Sequence, residues 1–333
     1  MARKLLSGFS LVFFLFSLLG ALQGRARAAD TVKVCYIPVV SVSPMFLAIE
    51  NGYFKREGID PQLKVVWPTD IRVNAVIQGN LDICTLGFGA ALVNAIQQGA
   101  PLRIVSDMAQ QKDGWVYVYW MVRKDLYESG ALRKYANFKG RTFGMSTLKG
   151  SIDDYILARA LRAGGLTRAD IHLKKVGYNQ MPAALRSKAV DVAYMIEPFK
   201  TIAEKQGVGT VLAPSTDVAP EGTQQAILFS NQDFITKRTD VGRRFMRAYL
   251  DGAKDHVAAL GEGKNKERLF EVIDKWTKVN KQMASQVGYP FISLDGRLNE
   301  KATMSQLAYL HDIGVIDQKV KRIEEIVDYR LLP

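Results

Sequence analysis

One order of strand-like and helix-like segments occurs twice in this chain, about 109 residues apart. The first copy runs from the strand-like TVKVCYI (31–37) to LDICTLG (81–87), with helical segments between them. The second copy runs from GRTFGMS (140–146) to VDVAYMIEP (190–198) in the same order. Strands separated by helices of this length favour parallel βαβ units. The sequence therefore predicts an α/β fold built from two similar, doubly wound halves.

The ends of two equivalent strands indicate where a ligand would bind. Aligning residues 75–89 with residues 184–198 places Asp82 on Asp191 and Phe88 on Glu197. Ligands of open α/β sheets bind beyond the carboxyl ends of the strands. A buried strand rarely ends in an unpaired carboxylate, because desolvating the charge is costly. We therefore expect Phe88 and Glu197 to line a cleft between the halves.

Two extended segments connect the halves. GWVYVYWMVRKD (114–125) is apolar on both faces, as expected of a strand buried on both sides, and QQAILFSNQDF (224–234) is the return segment. We interpret them as crossover strands. Domain I is then 29–120 and 229–333, and domain II is 121–228. The helical patterns after residue 240 are expected to pack around domain I.

The first 28 residues have the pattern of a signal peptide. Arg3 and Lys4 precede an uncharged run from Leu5 to Leu22, and Ala26-Arg27-Ala28 matches a cleavage site. An uncleaved membrane anchor is the alternative. Cleavage predicts an exported, periplasmic protein.

The charge of the chain limits its partners. Of the formal net charge of +12, four positive residues lie in the signal peptide, which leaves +8. These positive residues are scattered, without the basic arm or basic-aromatic pattern typical of nucleic-acid binding. We expect a monomer that does not bind nucleic acid.

The two cysteines, Cys35 and Cys84, leave two possibilities open. Export permits a disulfide between them. Both lie in strand-like runs, where a free cysteine behaves as a small buried apolar residue. Two buried thiols are the favoured interpretation, and a bridge is the alternative.

The motifs of common catalytic and cofactor sites are missing from the sequence. The three histidines are far apart, and no zinc-protease, paired-cysteine or serine-hydrolase motif occurs. GFGAAL (87–92) follows a strand, but Leu92 stands where a dinucleotide site needs a small residue. Gly87 and Gly89 instead allow a ligand or the opposite domain to approach the backbone. We expect no catalytic residues, no metal and no cofactor.

Five segments together resemble the nitrate/sulfonate/taurine-type periplasmic solute-binding proteins of ABC importers, a group that includes thiamine-pyrimidine-like binders. They are SPMFLAIENGYFKREGIDPQL (43–63), AVIQGNLDICTLG (75–87), QQGAPLRIVSD (97–107), GSIDDYILARAL (150–161) and MPAALRSKAVDVAYMIEPF (181–199). The resemblance covers Val32 to Gly209, and no single motif in it is diagnostic of a ligand. The cysteine-rich motif of the related pyrimidine synthase does not occur in this sequence.

The resemblance implies a type II periplasmic-binding-protein fold, with two lobes joined by two crossover strands. It implies a small-molecule solute held between the lobes and an ABC permease of the inner membrane as partner. Carried over residue by residue, the positions that would line the cleft are Ser41, Ser43, Gly87, Phe88, Gly89, Gly150, Ser151, Glu197 and Pro198.

The residues themselves suggest further contacts. The helix start STLKGSIDDY (146–155) could bind an anion through Ser146, Thr147, Gly150 and Ser151. Alternatively, Ser151 only caps its helix, and the neighbouring acids Asp153 and Asp154 disfavour a bare anion. Other candidates at strand ends, or on the first crossover segment, are Trp67, Thr69, Trp115 and Asn179.

The predicted function is capture of a small organic anion or zwitterion, such as a sulfonate, a taurine-like compound or an aromatic acid, and its delivery to a permease. An exported enzyme or a receptor-type sensor on the same fold is the alternative.

Overall fold

The structure is a computed structural model that describes residues 28–277 and 279–333. The predicted signal peptide therefore lies, except for its last residue, outside the described residues. Ten described strands form two sheets of five strands each. The strands are β1 (Asp30–Tyr36), β2 (Ile59–Val65), β3 (Ile83–Gly87), β4 (Leu102–Gln110), β5 (Val118–Arg123), β6 (Thr142–Met145), β7 (His172–Lys175), β8 (Val192–Ile196), β9 (Gly209–Pro214) and β10 (Gln224–Asn231).

Helices connect these strands and cover the sheets. They span Ser43–Glu50, Tyr53–Arg56, Thr69–Ile77, Ala90–Gln97, Lys124–Glu128, Ile152–Ala163, Met181–Arg186, Phe199–Lys205, Gln232–Lys237, Thr239–Gly261, Lys266–Trp276, Lys281–Ala284 and Glu300–Asp312. No helix among the described residues combines the length and the apolar character that crossing a membrane requires.

The two sheets share one topology. Their strand orders are β2-β1-β3-β10-β4 and β7-β6-β8-β5-β9. In each sheet, three strands run parallel and the fourth, β10 or β5, is antiparallel to both of its neighbours. The predicted α/β class with two similar halves is confirmed.

Residues that pair between strands of the first sheet have equivalents, 109 residues later, that pair in the second sheet. Val34 lies opposite Ile83 in the first sheet, and Phe143 lies opposite Val192 in the second. Asp82 accepts a hydrogen bond of 2.8 Å from the Lys33 amide, and Asp191 accepts one of 3.0 Å from the Thr142 amide. Each of these aspartates also pairs with an arginine, Arg238 or Arg123. The two copies therefore secure the start of equivalent strands in the same way.

Each crossover strand lies wholly in one sheet. Within the described part of the chain, strand β5 pairs only with β8 and β9, and β10 pairs only with β3 and β4. The predicted domain boundaries at 120/121 and 228/229 divide these strands. Boundaries within 111–117 and 215–223 would keep every strand whole. We call residues 28–110 and the described part of 224–333 lobe I, and residues 118–214 lobe II.

Close helix packing explains the position of the first helix, Ser43–Glu50. The long helix Thr239–Gly261 crosses it at Gly252, where an added Cβ would lie 2.1 Å from the Pro44 carbonyl oxygen. Ser43 is the first residue of this helix. Its hydroxyl lies 2.7 Å from His256 Nδ1 in the core, because the long helix brings that ring against it.

The two cysteines form a disulfide, so the favoured interpretation of two free thiols is wrong. Cys35 and Cys84 lie directly opposite each other on the parallel strands β1 and β3, with Cα atoms 4.6 Å apart. Both are fully buried, as predicted. Matching register on adjacent strands brings the two side chains together, and the sequence alone did not reveal that register.

Removing the disulfide should destabilise the protein. We expect the double variant Cys35→Ala/Cys84→Ala to lose about 2–4 kcal/mol of unfolding free energy, because the bond closes a long loop in the unfolded chain. The measurement is equilibrium urea unfolding with and without reductant. Reductant should lower the wild-type midpoint and leave that of the double variant unchanged; a wild-type midpoint indifferent to reductant would contradict the expectation.

Candidate functional site

A cavity of about 160 Å³ lies between the two sheets and is lined by residues of both lobes. It opens into a wider vestibule of about 1270 Å³, and Thr69, Arg72 and Tyr178 line both spaces. The walls come from the carboxyl end of β3 in lobe I and from the loop after β6 in lobe II. This is the edge at which the sequence placed the ligand site.

The structure brings many of the predicted residues together at this cavity. Those that line it are Ser41, Thr69, Gly87, Gly89, Ser146, Thr147, Gly150 and Ser151. Trp67 and Asn179 line the vestibule outside it. Their role as ligand contacts stays a prediction.

Five predicted residues are not part of the cavity lining: Ser43, Phe88, Trp115, Glu197 and Pro198. Ser43 bonds His256 in the core, and the buried Phe88 packs into the apolar interior of lobe I. Trp115 packs edge-on against Phe291, with ring centroids 5.6 Å apart. Pro198 immediately precedes the helix Phe199–Lys205.

Glu197 is buried and bonded within the protein. Its carboxylate lies 3.1 Å from Lys200 Nζ and accepts hydrogen bonds from the Thr201 hydroxyl at 2.9 Å and the Gly288 amide at 3.2 Å. Burial raises the pKa of this carboxyl, and the Lys200 charge opposes that shift. An added Cβ on Gly288 would lie 1.8 Å from the Val116 carbonyl oxygen. Glu197 thus fastens the end of β8 to the C-terminal segment beside a connection between the lobes.

The two lobes touch through their backbones beside the cavity. The Ala90 amide donates to the Gly150 carbonyl at 2.7 Å, and the Ile152 amide donates to the Phe88 carbonyl at 2.9 Å. Gly89 and Ser151 thereby form an antiparallel bridge. An added Cβ on Gly89 would lie 2.7 Å from the Gly150 carbonyl oxygen. Of the two predicted uses of the glycines, the structure shows approach of the opposite lobe.

The helix start at 146–155 already uses much of its donor capacity within the protein. The Gly150 amide donates to Asp154 at 2.9 Å, and the Ile152 amide donates across the lobe interface. The Ser151 side chain accepts from the Asp154 amide, which is the predicted capping alternative. A solute anion would therefore find these amides occupied.

Arg72 is a cavity residue that sequence reasoning missed. It is 5% exposed, and its guanidinium donates to the Thr85 carbonyl at 2.7 Å and to the Thr69 hydroxyl at 3.3 Å. Among the described residues no carboxylate pairs with it, and Nε has no acceptor. Burial lowers its pKa to about 10, so the group stays charged at neutral pH. Its position beside Val73 and Val76, on the apolar face of the helix Thr69–Ile77, is the sequence feature that could have indicated a buried arginine.

Two more buried polar atoms of the cavity wall lack partners. They are Thr85 Oγ1 and Gln225 Oε1, both in lobe I like Arg72. Buried polar groups are nearly always hydrogen-bonded in folded proteins. The Arg72 guanidinium and the Thr85 hydroxyl can donate to an anionic group, whereas the Gln225 amide oxygen can only accept a hydrogen bond.

The opposite wall, in lobe II, carries an acid. Asp153 is 1% exposed and accepts hydrogen bonds from the hydroxyls of Ser146 and Tyr178, the latter at 2.8 Å. Burial raises its pKa to about 6. Among the described residues, no cluster of histidine, cysteine and acidic side chains is arranged to hold a metal ion.

Comparisons with known proteins agree with this architecture. The NMT1-like family model matches residues 25–273. The riboflavin-binding protein RibY of Chloroflexus aurantiacus is 25% identical over 234 residues, which are 68% of this chain and 62% of that protein. This chain therefore spans less than two thirds of that relative's length.

Solved structures show the same fold. The alkanesulfonate-binding protein SsuA of Xanthomonas axonopodis pv. citri, bound to MOPS, superposes with a TM-score of 0.70 at 16% identity, covering 91% of this chain and 100% of that chain. The periplasmic nitrate-binding protein NrtA of Synechocystis PCC 6803 gives 0.71 at 14%, covering 91% and 86%. The predicted periplasmic-binding-protein fold is confirmed.

Gly89→Ala should weaken the closed arrangement of the lobes. Its φ of 170° is extended backbone that any residue adopts, so the added methyl group conflicts only with the opposite lobe. We expect a larger radius of gyration in small-angle X-ray scattering. Gly87→Ala is the matched control, because its Cβ would make only ordinary contacts at 3.8 Å. Identical scattering from both variants and the wild type would contradict this role of Gly89.

Glu197→Ala should reduce stability, because it leaves Lys200 in a buried site without its nearer partner. We expect a loss of about 3 kcal/mol in the free energy of unfolding, measured by urea titration. Glu204→Ala removes the other, more exposed partner of Lys200 and should cost less than about 1 kcal/mol. Equal losses in the two variants would show that the Glu197 contacts carry no special weight.

Proposed function

The chain belongs to the NMT1-like family, and we propose that it is the exported solute-binding component of an ABC importer. In this proposal it holds a small organic solute with an anionic group between its lobes and delivers it to a permease of the inner membrane. The proposal includes a cleaved signal peptide at residues 1–28, a periplasmic location, a monomeric state and a binding role without catalysis.

The observation that carries the proposal is the buried guanidinium of Arg72. A buried charge without a counter-charge is unfavourable, and a buried N–H without an acceptor adds to that cost. A carboxylate or sulfonate in the cavity would supply both the charge and the acceptors, and such charge-assisted bonds are among the strongest in proteins. The unpartnered Thr85 Oγ1 beside it would complete the contact with the same group.

The size of the cavity favours a small solute. Its volume of about 160 Å³ is close to that of an engineered protein cavity of about 150 Å³ that binds benzene. Compounds with a few carbon atoms and one acidic group fit this space.

The proposed mechanism is closure of the lobes. A solute stabilises whichever conformation it binds more tightly. A solute that touches lobe I at Arg72 and lobe II across the cavity makes all of its contacts only when the lobes meet. The bridge between Gly89 and Ser151 and the approach of the Trp67 and Phe199 rings, with centroids 6.4 Å apart, accompany the closed arrangement. The permease would then recognise the closed form.

A thermal-shift panel on the mature protein tests the proposal. Binding to the folded form alone raises Tm. The panel compares short-chain sulfonates, short-chain carboxylates, amine-bearing analogues of both, nitrate, benzoate and a thiamine-type pyrimidine. We expect at least one organic compound with an acidic group to raise Tm, and a panel without any shift from such compounds would overturn the proposal.

Arg72→Met should abolish most of the affinity for the solute found in this way. Two lost charge-assisted hydrogen bonds correspond to roughly a 100-fold weaker Kd. Isothermal titration calorimetry measures the change. Arg56→Met is the matched control, since Arg56 is an exposed arginine of lobe I that pairs with Asp251, and its variant should bind as the wild type does. Wild-type affinity in Arg72→Met would remove Arg72 from the site.

A further inference from the structure

The cavity contains two buried charges of opposite sign, and neither has a charged partner within the described residues. Arg72 lies in the wall formed by lobe I, and Asp153 lies in the wall formed by lobe II. They are 5% and 1% exposed. Burying an uncompensated charge is costly, so each wall favours a group of opposite charge.

The neighbouring residue, Asp154, differs from Asp153 because it has a charged partner inside the protein. Asp154, in the same helical turn, is also buried, but it pairs with Arg168 and accepts a hydrogen bond from the Gly150 amide. Asp153, which lines the cavity, receives only neutral donors, namely the hydroxyls of Ser146 and Tyr178 and the Ser146 backbone amide. Asp154 therefore has a cation inside the protein, and Asp153 has none among the described residues.

The carboxylate of Asp153 has room for one more donor. A carboxylate offers about four acceptor positions on its two oxygens. Three donors occupy three of these positions: the Ser146 hydroxyl on Oδ2, the Ser146 backbone amide, and the Tyr178 hydroxyl, which lies 2.8 Å from Oδ1 and 2.9 Å from Oδ2. A cation placed against this group would favour its charged form and offset the effect of burial.

Aromatic side chains surround this acid. Tyr117, Tyr178 and Tyr194 all line the cavity, and the Asp153 charge contributes to raising the pKa of each, after burial. Aromatic rings attract cations through their faces. An acid among three tyrosines is a favourable environment for an ammonium group.

We propose that the solute is a zwitterion whose acidic group pairs with Arg72 and whose ammonium group pairs with Asp153. This inference rests on the proposed function and narrows its substrate class to compounds that carry both charges. Such a solute neutralises both walls, so it joins lobe I to lobe II by ionic contacts at each end. A simple anion satisfies Arg72 alone and leaves Asp153 buried without a cation.

Matched pairs of compounds test the inference. Taurine and isethionate differ only in an ammonium group replaced by a hydroxyl, as do β-alanine and 3-hydroxypropanoate, and 4-aminobutanoate and 4-hydroxybutanoate. We expect the amine of at least one pair to bind at least 10-fold more tightly than its hydroxyl analogue in calorimetry at neutral pH. Hydroxyl analogues that bind as tightly as the amines would overturn the zwitterion and leave the proposed function standing. No binding by any compound in the pairs would overturn the zwitterion, whereas the proposed function fails only if the wider panel of acids also gives no shift.

Variants separate the two charges. Asp153→Asn should weaken binding of the amine at least 10-fold and leave the Kd of its hydroxyl analogue within about 3-fold, whereas Arg72→Met should weaken both. Glu128→Gln, the same change of charge at an exposed position of lobe II, should alter neither Kd. Circular dichroism and Tm of the free variants establish that they fold. Equal weakening of both ligands in a folded Asp153→Asn variant would overturn the pairing of the ammonium group with Asp153.

Discussion

The contact between two backbones at Gly89 and Ser151 is the interaction on which the site depends. It joins the end of the loop after β3 in lobe I to the helix start of lobe II, and its two hydrogen bonds need no side chain. The walls meet there because Gly89 has no Cβ to strike the Gly150 carbonyl. The approach narrows the cleft between the lobes to a small cavity beside the vestibule. Where protein surrounds most of a space, the effective dielectric is lower than in water, so charges in the walls interact more strongly.

The charges in the walls then determine the chemistry. Two buried carboxylates have a charged partner inside the protein: Asp154 has Arg168, and Glu197 has Lys200. Arg72 and Asp153 receive only neutral partners within the described residues, as does the buried Asp107 of lobe I, which does not line the cavity. Arg72 and Asp153 line the same cavity, from opposite lobes.

Glu197 is a buried charge that has a charged partner within the protein. The strand β8 ends in a buried carboxylate, as its equivalent β3 ends near the buried Phe88. The carboxylate is compensated by Lys200, Thr201 and the Gly288 amide, so it binds the C-terminal segment to lobe II. That segment lies against the connection between β4 and β5, where Gly288 approaches Val116. Relative motion of the lobes would therefore act on these contacts, outside the cavity.

Three features could be predicted from the sequence: the α/β class, the repeated order of elements with its spacing of 109 residues, and the edge of the sheets where the cavity lies. These follow from periodicity and turn residues, which are local properties of the chain. Which side chains of the two lobes face each other at that edge follows only from the tertiary structure. The register of β1 against β3 places the two cysteines opposite each other. The packing of the long helix Thr239–Gly261 places His256 against Ser43. Arg72 and Asp153 line the same cavity because two lobes that are distant in sequence pack against each other. Local sequence patterns do not reveal contacts between residues so far apart in the chain.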